Sequence, residues 1–371
     1  MQKVLLVFGT RPEAIKMAPV VRELSRYPTE FKVKICLTAQ HREMLDQVLT
    51  LFDIEADYDL NIMRDRQTLS RVTAEVLTGV EEVIKTENPG WVLVQGDTTT
   101  AMAAALAAFY QKVRVAHIEA GLRTWNKAQP YPEEINRVIA DVVCDLHFAP
   151  TEAARWNLLC EGIGAGSIFV TGNTVIDALL ETVEREYDLE SGPLRNIPPD
   201  RRIILVTAHR RENFGPPLVN ICRALQKIAR RYESDVHLVY PVHLNPNVQG
   251  VVYPILEGVA NISLLKPLDY LSFVHLMNRA YLVLTDSGGL QEEAPSLGKP
   301  VLVLREVTER PEAVEAGTVR VVGTDEERIM AEVVRLLEDA GAYRRMAQAA
   351  NPYGDGHAAA RIVNTLLSLR E

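Results

Sequence analysis

The stretch Leu282-Val283-Leu284-Thr285-Asp286-Ser287-Gly288-Gly289-Leu290-Gln291-Glu292-Glu293-Ala294-Pro295 decides the fold. Tyr281 to Leu284 is an apolar run with the length and flanks of a buried strand, and it stops at Thr285-Asp286-Ser287 before paired glycines. Gln291-Glu292-Glu293-Ala294 then favours helix, so the N–H groups of Ser287, Gly288 and Gly289 are expected at a helix N-terminus, where anions are stabilised. Glycines let a phosphate come close, and Glu292 or Glu293, one turn on, could accept hydrogen bonds from sugar hydroxyls. A nucleotide fits this combination. A strand-to-helix turn whose glycines only relieve backbone strain fits it as well.

Working outward, the same strand-then-helix alternation runs through the whole chain. Val4 to Phe8 reads as a strand, followed by Gly9-Thr10-Arg11-Pro12-Glu13 and a helix with Ile15, Ala18, Val21 and Leu24 at helical spacing. Phe31 to Leu37, Trp91 to Val94, Val113 to Ile118, Leu146 to Ala149 and Ser167 to Val170 read as further strands. The helix Leu69 to Ile84 sets Val72, Val76, Val80 and Val83 on one side. The segment 188–200, which mixes Gly, Ser and Pro without periodicity, is the expected linker. Alternation restarts with strands at Ile203 to Val206, Val236 to Tyr240, Asn261 to Leu265 and Leu282 to Thr285. The expectation is two α/β halves, 1–187 and 201–371, the last helix able to pack back on the first half. Parallel sheets bind ligands beyond their strand C-termini, so a ligand shared between facing rims is expected.

Composition bounds the function. A chain of 371 residues is long for one core, and its apolar fraction of 47% fills two interiors. A net charge of −9 argues against a broad nucleic-acid or anionic-membrane surface. Cys36, Cys144, Cys160 and Cys222 have no metal or disulfide spacing and read as reduced, buried filler. No signal-peptide pattern and no membrane-length apolar run is present, so a cytoplasmic protein is expected. Neither a His-Glu-x-x-His spacing nor an aspartate cluster points to a metal, and Gly9 to Ala14 lacks the dinucleotide-binding glycine pattern, so no cofactor is expected.

Asp97, before Thr98-Thr99-Thr100, reads equally as an N-cap or as a rim carboxylate. Glu119 ends a strand. Glu133 and Glu134 open a helix, where a favourable dipole interaction explains them too, with Arg137 one turn on as a partner. Together these are acids near one predicted rim, where like charges raise one another's pKa and prepare acid/base pairs. Arg11 with Lys16, and His209 with Arg210 and Arg211, read as solvated loop charge or, if the two halves face each other, as the cations that a departing diphosphate needs beside the Ser287-Gly288-Gly289 turn. His243 is a weaker candidate. His41, His147, His237, His275 and His357 read as structural.

These residues fall in runs that resemble the bacterial non-hydrolysing UDP-N-acetylglucosamine 2-epimerases over essentially the whole chain. The runs include Phe8 to Pro19, Thr38 to Arg42, Gly96 to Thr100, His117 to Thr124, Pro132 to Arg137, Thr171 to Thr174, His209 to Glu212, Thr285 to Pro300 and Thr308 to Glu312. Ala208 stands where some relatives have glycine. The resemblance implies a glycosyltransferase-B type architecture, with two Rossmann-like domains facing a central cleft, and commonly a homodimer. It implies interconversion of UDP-N-acetylglucosamine and UDP-N-acetylmannosamine through UDP elimination and re-addition, supplying surface polysaccharide synthesis. By motif match, Asp97, Glu119 and Glu133 form the proton-transfer and orienting set, and His209 stabilises the leaving diphosphate. Arg11, Lys16, Arg137, Phe273, Ser287, Gly288, Gly289 and Glu293 would bind substrate, Phe273 at uracil and Glu293 at ribose. Gln40, Arg66, Gln67, Arg210 and His243 match an activating second substrate site. A hydrolysing 2-epimerase, a glycosyltransferase of the same architecture and a non-catalytic UDP-sugar sensor are the alternatives.

Overall fold

Runs of aliphatic residues too apolar to alternate become strands buried on both faces, as the interior of a parallel sheet requires. Val4 to Phe8, Val92 to Val94, Ile204 to Val206 and Leu282 to Leu284 are all fully buried. The computed structural model describes residues 1–38, 42–64 and 67–369, with backbone alone at 42–44. Two compact units result: Met1–Ala178 with Tyr353–Glu371, and Leu179–Pro352.

The first unit holds β1 (Gln2–Phe8), β2 (Phe31–Leu37), β3 (Tyr58–Asp59), β4 (Trp91–Gln95), β5 (Arg114–Ile118), β6 (Leu146–Ala149) and β7 (Ile168–Val170). They form one parallel sheet in the order β3-β2-β1-β4-β5-β6-β7. The second unit holds β8 (Arg202–Thr207), β9 (Val236–Pro241), β10 (Ile262–Leu265), β11 (Ala280–Thr285), β12 (Val301–Val303) and β13 (Val319–Val321), ordered β10-β9-β8-β11-β12-β13. Each sheet winds outward in both directions from a central pair, β1 with β4 and β8 with β11. These are the topological switch points, where helices leave to opposite faces and open a crevice at the strand C-terminal ends. The two-sheet α/β architecture implied by the resemblance is present.

The chain leaves the first unit at Ala178, inside the helix Thr174–Val183, and re-enters it at Tyr353. The segment 188–200, read as linker, lies in the second unit and contains the short 3-10 turn Gly192–Leu194. What returns the last helix, Ala358–Ser368, is polar and specific. The Asp177 carboxylate accepts from the amides of Ala358 and Ala359, at 3.2 and 2.8 Å, and Arg361 donates to the Thr171 carbonyl at 3.0 Å. Ile362, Val363 and Leu366 bury the other side of that helix. β3, β12 and β13 are two or three residues long, too short to show a period in sequence.

Close approach dictates one glycine here. A Cβ on Gly9 would lie 1.8 Å from the Thr38 hydroxyl, which is itself buried and 3.0 Å from Thr100. The loop after β1 therefore passes directly against its neighbours at the switch point.

A buried charged network fixes the ends of β4 and β5. His117 sets Nδ1 2.5 Å from an Asp141 oxygen and Nε2 2.7 Å from the Gly96 carbonyl. Both ring nitrogens face acceptors, so the ring carries both protons. Asp141 also accepts from Arg123 at 2.6 Å, and Arg123 forks onto Glu161. Burial works against the His117 charge, but the Asp141 carboxylate and the hydrogen bonds overcome it and raise the pKa. Burial likewise opposes the Asp141 charge, and His117 and Arg123 lower its pKa. A raised folded pKa contributes stability fully present below the unfolded value of about 6.5 and lost as pH rises through the folded value. The Asp141 contribution is present above its unfolded value, about 3.9, and lost as pH falls through the lowered one. We expect the stability advantage of the native chain over His117→Asn, read from urea midpoints, to shrink as pH rises through the folded His117 pKa. A pH-independent difference would contradict a charged ring.

Candidate active-site residues

The first unit gathers its acids at the rim of the β1/β4 switch point. Glu119 follows β5 with a φ of +67°, a left-handed conformation uncommon outside glycine. Its carboxylate is nearly buried and ion-paired with Lys16, at 2.7 and 2.5 Å. Asn173 donates to it at 3.0 Å, and the Gln95 amide, from the end of β4, also donates. Lys16 lies one turn into the helix Arg11–Ser25, which Arg11 opens.

Asp97 is not an N-cap. Thr98 caps the helix Thr99–Tyr110 by accepting from Ala101, and the Asp97 carboxylate instead takes a 2.6 Å bond from Arg137. Asn136 holds the Asp97 carbonyl at 3.0 Å, so two residues of one helix grip this loop. Neighbouring Glu133 and Glu134 differ sharply. Glu134 is buried and accepts from the Thr124 and Trp125 amides, with Arg137 3.4 Å away. Glu133 is half-buried and makes no hydrogen bond or ion pair among the described residues. Glu134 is thus a scaffold for the loop before it, and Glu133 keeps its carboxylate uncommitted.

Glu13 was present in the quoted motif without a role. It is buried and closes a capping box, its carboxylate accepting from the Gly9 and Thr10 amides at 3.1 and 2.8 Å and from the Thr98 hydroxyl at 2.6 Å. Burial raises its pKa, offset in part by these donors. The protein's own anion therefore takes the amides that lead into the first helix of this unit.

The second unit is arranged in the opposite way. Ser287 is the N-cap of the helix Gly288–Ser296, and its own amide is turned back to the Thr285 hydroxyl at 2.9 Å. Among the described residues nothing accepts from the Gly288 or Gly289 amides. A Cβ at Gly288 would lie 3.8 Å from the guanidinium nitrogens of both Arg210 and Arg310. Two unclaimed amides on a helix N-terminus beside two guanidiniums make a site for an anion. Arg310 also pairs with Glu292, which commits that carboxylate and separates it from Glu293, itself buried on the same helix.

His209 follows β8. Its ring stacks on His243, centroids 5.2 Å apart and planes 12° apart. Burial lowers its pKa; Asp286 pushes it back up, and His243 and Arg210 push it down. His243 is exposed and its Nδ1 accepts from the Asn245 amide at 3.1 Å. Phe273 is half-buried in the helix Tyr270–Arg279. Of the proposed activator residues, Gln67 lies in the first unit and donates to the Ile62 carbonyl, while Arg210 and His243 lie in the second. Gln40 and Arg66 lie outside the described residues, as does His41. Cys160 is exposed, unlike buried Cys36 and Cys222, because it shares the solvent face of the helix Glu152–Cys160 with Trp156, opposite buried Ala154 and Leu158; the filler reading fails there.

Sequence reasoning missed Gln95, Asn136, Asn173, Glu13 and Asp286 as positioning groups. Each sits inside a quoted run or directly beside one, at the end of a strand or the start of a helix, but no residue-type rule separates a polar side chain that aims another from one that merely caps.

The family model for UDP-N-acetylglucosamine 2-epimerase matches residues 22–367. A UDP-N-acetylglucosamine 2-epimerase of Escherichia coli K12 is 56% identical over 376 residues, covering 99% of both chains. The structure of the UDP-GlcNAc 2-epimerase from Neisseria meningitidis bound to UDP-GlcNAc superposes with a TM-score of 0.89 at 51% identity, covering 99% of this chain and 100% of that one. That of the Methanocaldococcus jannaschii enzyme in complex with UDP-GlcNAc and UDP gives 0.81 at 35% identity, covering 99% of each. With full-length identity of this order and a carboxylate set at one switch point, the chain belongs to the UDP-N-acetylglucosamine 2-epimerase family.

Proposed function

We propose that the chain inverts C2 of UDP-N-acetylglucosamine to give UDP-N-acetylmannosamine, reversibly and without net hydrolysis. The observation that carries this reading is the division of labour between helix N-termini. Glu13 takes the Gly9 and Thr10 amides leading into the helix after β1, where Pro12 has no amide to offer, whereas among the described residues the Gly288 and Gly289 amides stay unclaimed beside Arg210 and Arg310. A chain so built keeps its acids for the sugar and its amides for the diphosphate.

The C2–H bond has no adjacent carbonyl, so removing that proton is coupled to departure of UDP from C1. A base takes H2, the C2 electron pair forms the C1–C2 double bond, and the C1–O pair leaves with UDP. The resulting 2-acetamidoglucal regains a proton on its other face as UDP re-adds. Glu133, which makes no hydrogen bond or ion pair among the described residues, suits returning the proton; Asp97 and Glu119, each beside a cation that favours its ionised form, suit orienting the sugar and accepting H2. His209, with Arg11, stabilises the leaving diphosphate, which the turn at Ser287 retains through the Gly288 and Gly289 amides. Arg137 and Lys16 hold the acids they pair with, Glu293 binds ribose and Phe273 lines the uracil pocket. Gln40, Arg66, Gln67, Arg210 and His243 bind a second, activating UDP-N-acetylglucosamine. Assembly as a homodimer and a cytoplasmic place of work belong to the same proposal.

Incubation with UDP-N-acetylglucosamine in heavy water tests the reading. We expect deuterium at C2 in both epimers, with UDP-N-acetylmannosamine formed and no free N-acetylmannosamine accumulating by NMR. Release of the free sugar would favour hydrolysis, and absence of exchange would favour a sensor. Asp97→Asn should retain UDP affinity and lose turnover by about 100-fold or more, the scale of a lost acid/base group; near-normal turnover removes Asp97 from the mechanism. Starting from UDP-N-acetylmannosamine alone, progress curves should show a lag that added UDP-N-acetylglucosamine abolishes; linear curves from time zero would argue against activation.

A further inference from the structure

We propose that Asp286 is a positioning residue that fixes the ring of His209, with Nδ1–H turned to its carboxylate and Nε2 presented to the leaving diphosphate. This rests on the role given to His209 above.

Asp286 is completely buried just after β11, and its two oxygens are used unequally. Oδ2 accepts from the His209 amide at 2.7 Å, the Arg210 amide at 2.8 Å and the Asn213 side chain at 3.0 Å. Those three bonds pin the loop after β8 to the strand beside it, and they would suffice for a purely structural carboxylate. Oδ1 accepts no hydrogen bond among the described residues, yet lies 3.6 Å from His209 Nδ1. A buried carboxylate oxygen can only accept, and leaving it unmatched is costly. A small rotation of the imidazole, closing about 0.7 Å, would bring Nδ1 to the usual hydrogen-bond distance of about 2.9 Å.

The ring is held in its other direction by His243, whose face it stacks on and whose own Nδ1 is occupied by the Asn245 amide. A ring flipped about its axis would turn a C–H towards the buried oxygen. The neutral tautomer is thereby set as Nδ1–H, with Nε2 at the opposite edge, where no described residue meets it. When the ring takes up a second proton, Nε2–H becomes the donor for developing phosphate charge, and Asp286 compensates the imidazolium from behind. The charged and titratable groups around the ring are Asp286, His243 and Arg210; Asp286 alone among them favours the protonated form.

The first measurement needs no variant. In full-length protein with 15N-labelled histidine, the His209 ring signals, identified by their loss in His209→Asn, should show the neutral ring protonated at Nδ1. A bare Nδ1 overturns the proposal. In the second, Asp286→Asn should lower kcat about 10- to 100-fold with KM changed less than about 3-fold, as for loss of a group acting through the catalytic one. The basic limb of its kcat–pH profile should move to lower pH, because the carboxylate that raises the His209 pKa is gone. A reduced kcat with an unmoved limb also overturns the proposal, since a merely structural defect would produce that. If Asp286→Asn does not fold, the tautomer in the native chain decides. Full activity in His209→Asn would overturn the role assigned to His209 and the catalytic part of this proposal together; inactive His209→Asn with a bare Nδ1 would overturn this proposal alone.

Discussion

In each unit the loops at the switch point depend on one buried carboxylate that takes two consecutive backbone amides and ties the two sides of that point together. In the first, Glu13 comes from the helix after β1 and reaches Gly9, Thr10 and, on the β4 side, Thr98. In the second, Asp286 comes from the β11 side and reaches His209, Arg210 and Asn213 after β8. Such carboxylates stay only where charge-assisted bonds offset their desolvation, so each loop is held in one arrangement. The difference lies in which amides they use. Glu13 takes those that lead into its own helix, whereas Asp286 takes those of a neighbouring loop and, among the described residues, the Gly288 and Gly289 amides of the helix that follows it stay unclaimed. A rim that gathers acids and a rim that, among the described residues, leaves helix amides unclaimed follow from the same device placed on opposite members of the switch-point pair.

Glu119 illustrates how much scaffolding one carboxylate requires. Its left-handed backbone is held by amide bonds from Glu119 and Ala120 to the Phe148 carbonyl, at 3.0 and 3.1 Å. Strand β6 therefore fixes the residue that ends β5. The side chain is then met by groups from three further places: Lys16 from the first helix, Gln95 from β4 and Asn173 from the turn after β7. A carboxylate so enclosed is fixed in orientation, whereas Glu133, at the start of its helix, makes no hydrogen bond or ion pair among the described residues.

The long strands and amphipathic helices were legible because burial writes a period into sequence. Phe31 to Leu37 and Leu146 to Ala149 match the observed strands residue for residue, and Val72, Val76, Val80 and Val83 are all buried as their spacing implies. β12 and β13, three residues each, carry no period and were not foreseen. The bonds that hold the last helix on the first unit were also hidden, because Asp177 and the two amides it takes are far apart in sequence. At the site, the acid-bearing motifs were readable as motifs. Which acid is tied and which is open was not: Glu133 and Glu134 are identical letters, separated only by whether the preceding loop turns its amides inward. Asp97 read equally well as a cap until Thr98 took that place.

The return of the helix Ala358–Ser368 to the first unit has a consequence for biosynthesis. The sheet β1 to β7 is translated early, yet the amides that Asp177 must satisfy, and the apolar face that covers one side of the unit, leave the ribosome only after all of β8 to β13. Until then the nascent early unit is missing a wall. Its apolar surface is exposed for the full time of making the other unit, a window in which chaperone protection has most to act on. A premature stop near residue 352 would make that window permanent, so the damage from losing the chain's tail would fall on the part of the protein made first.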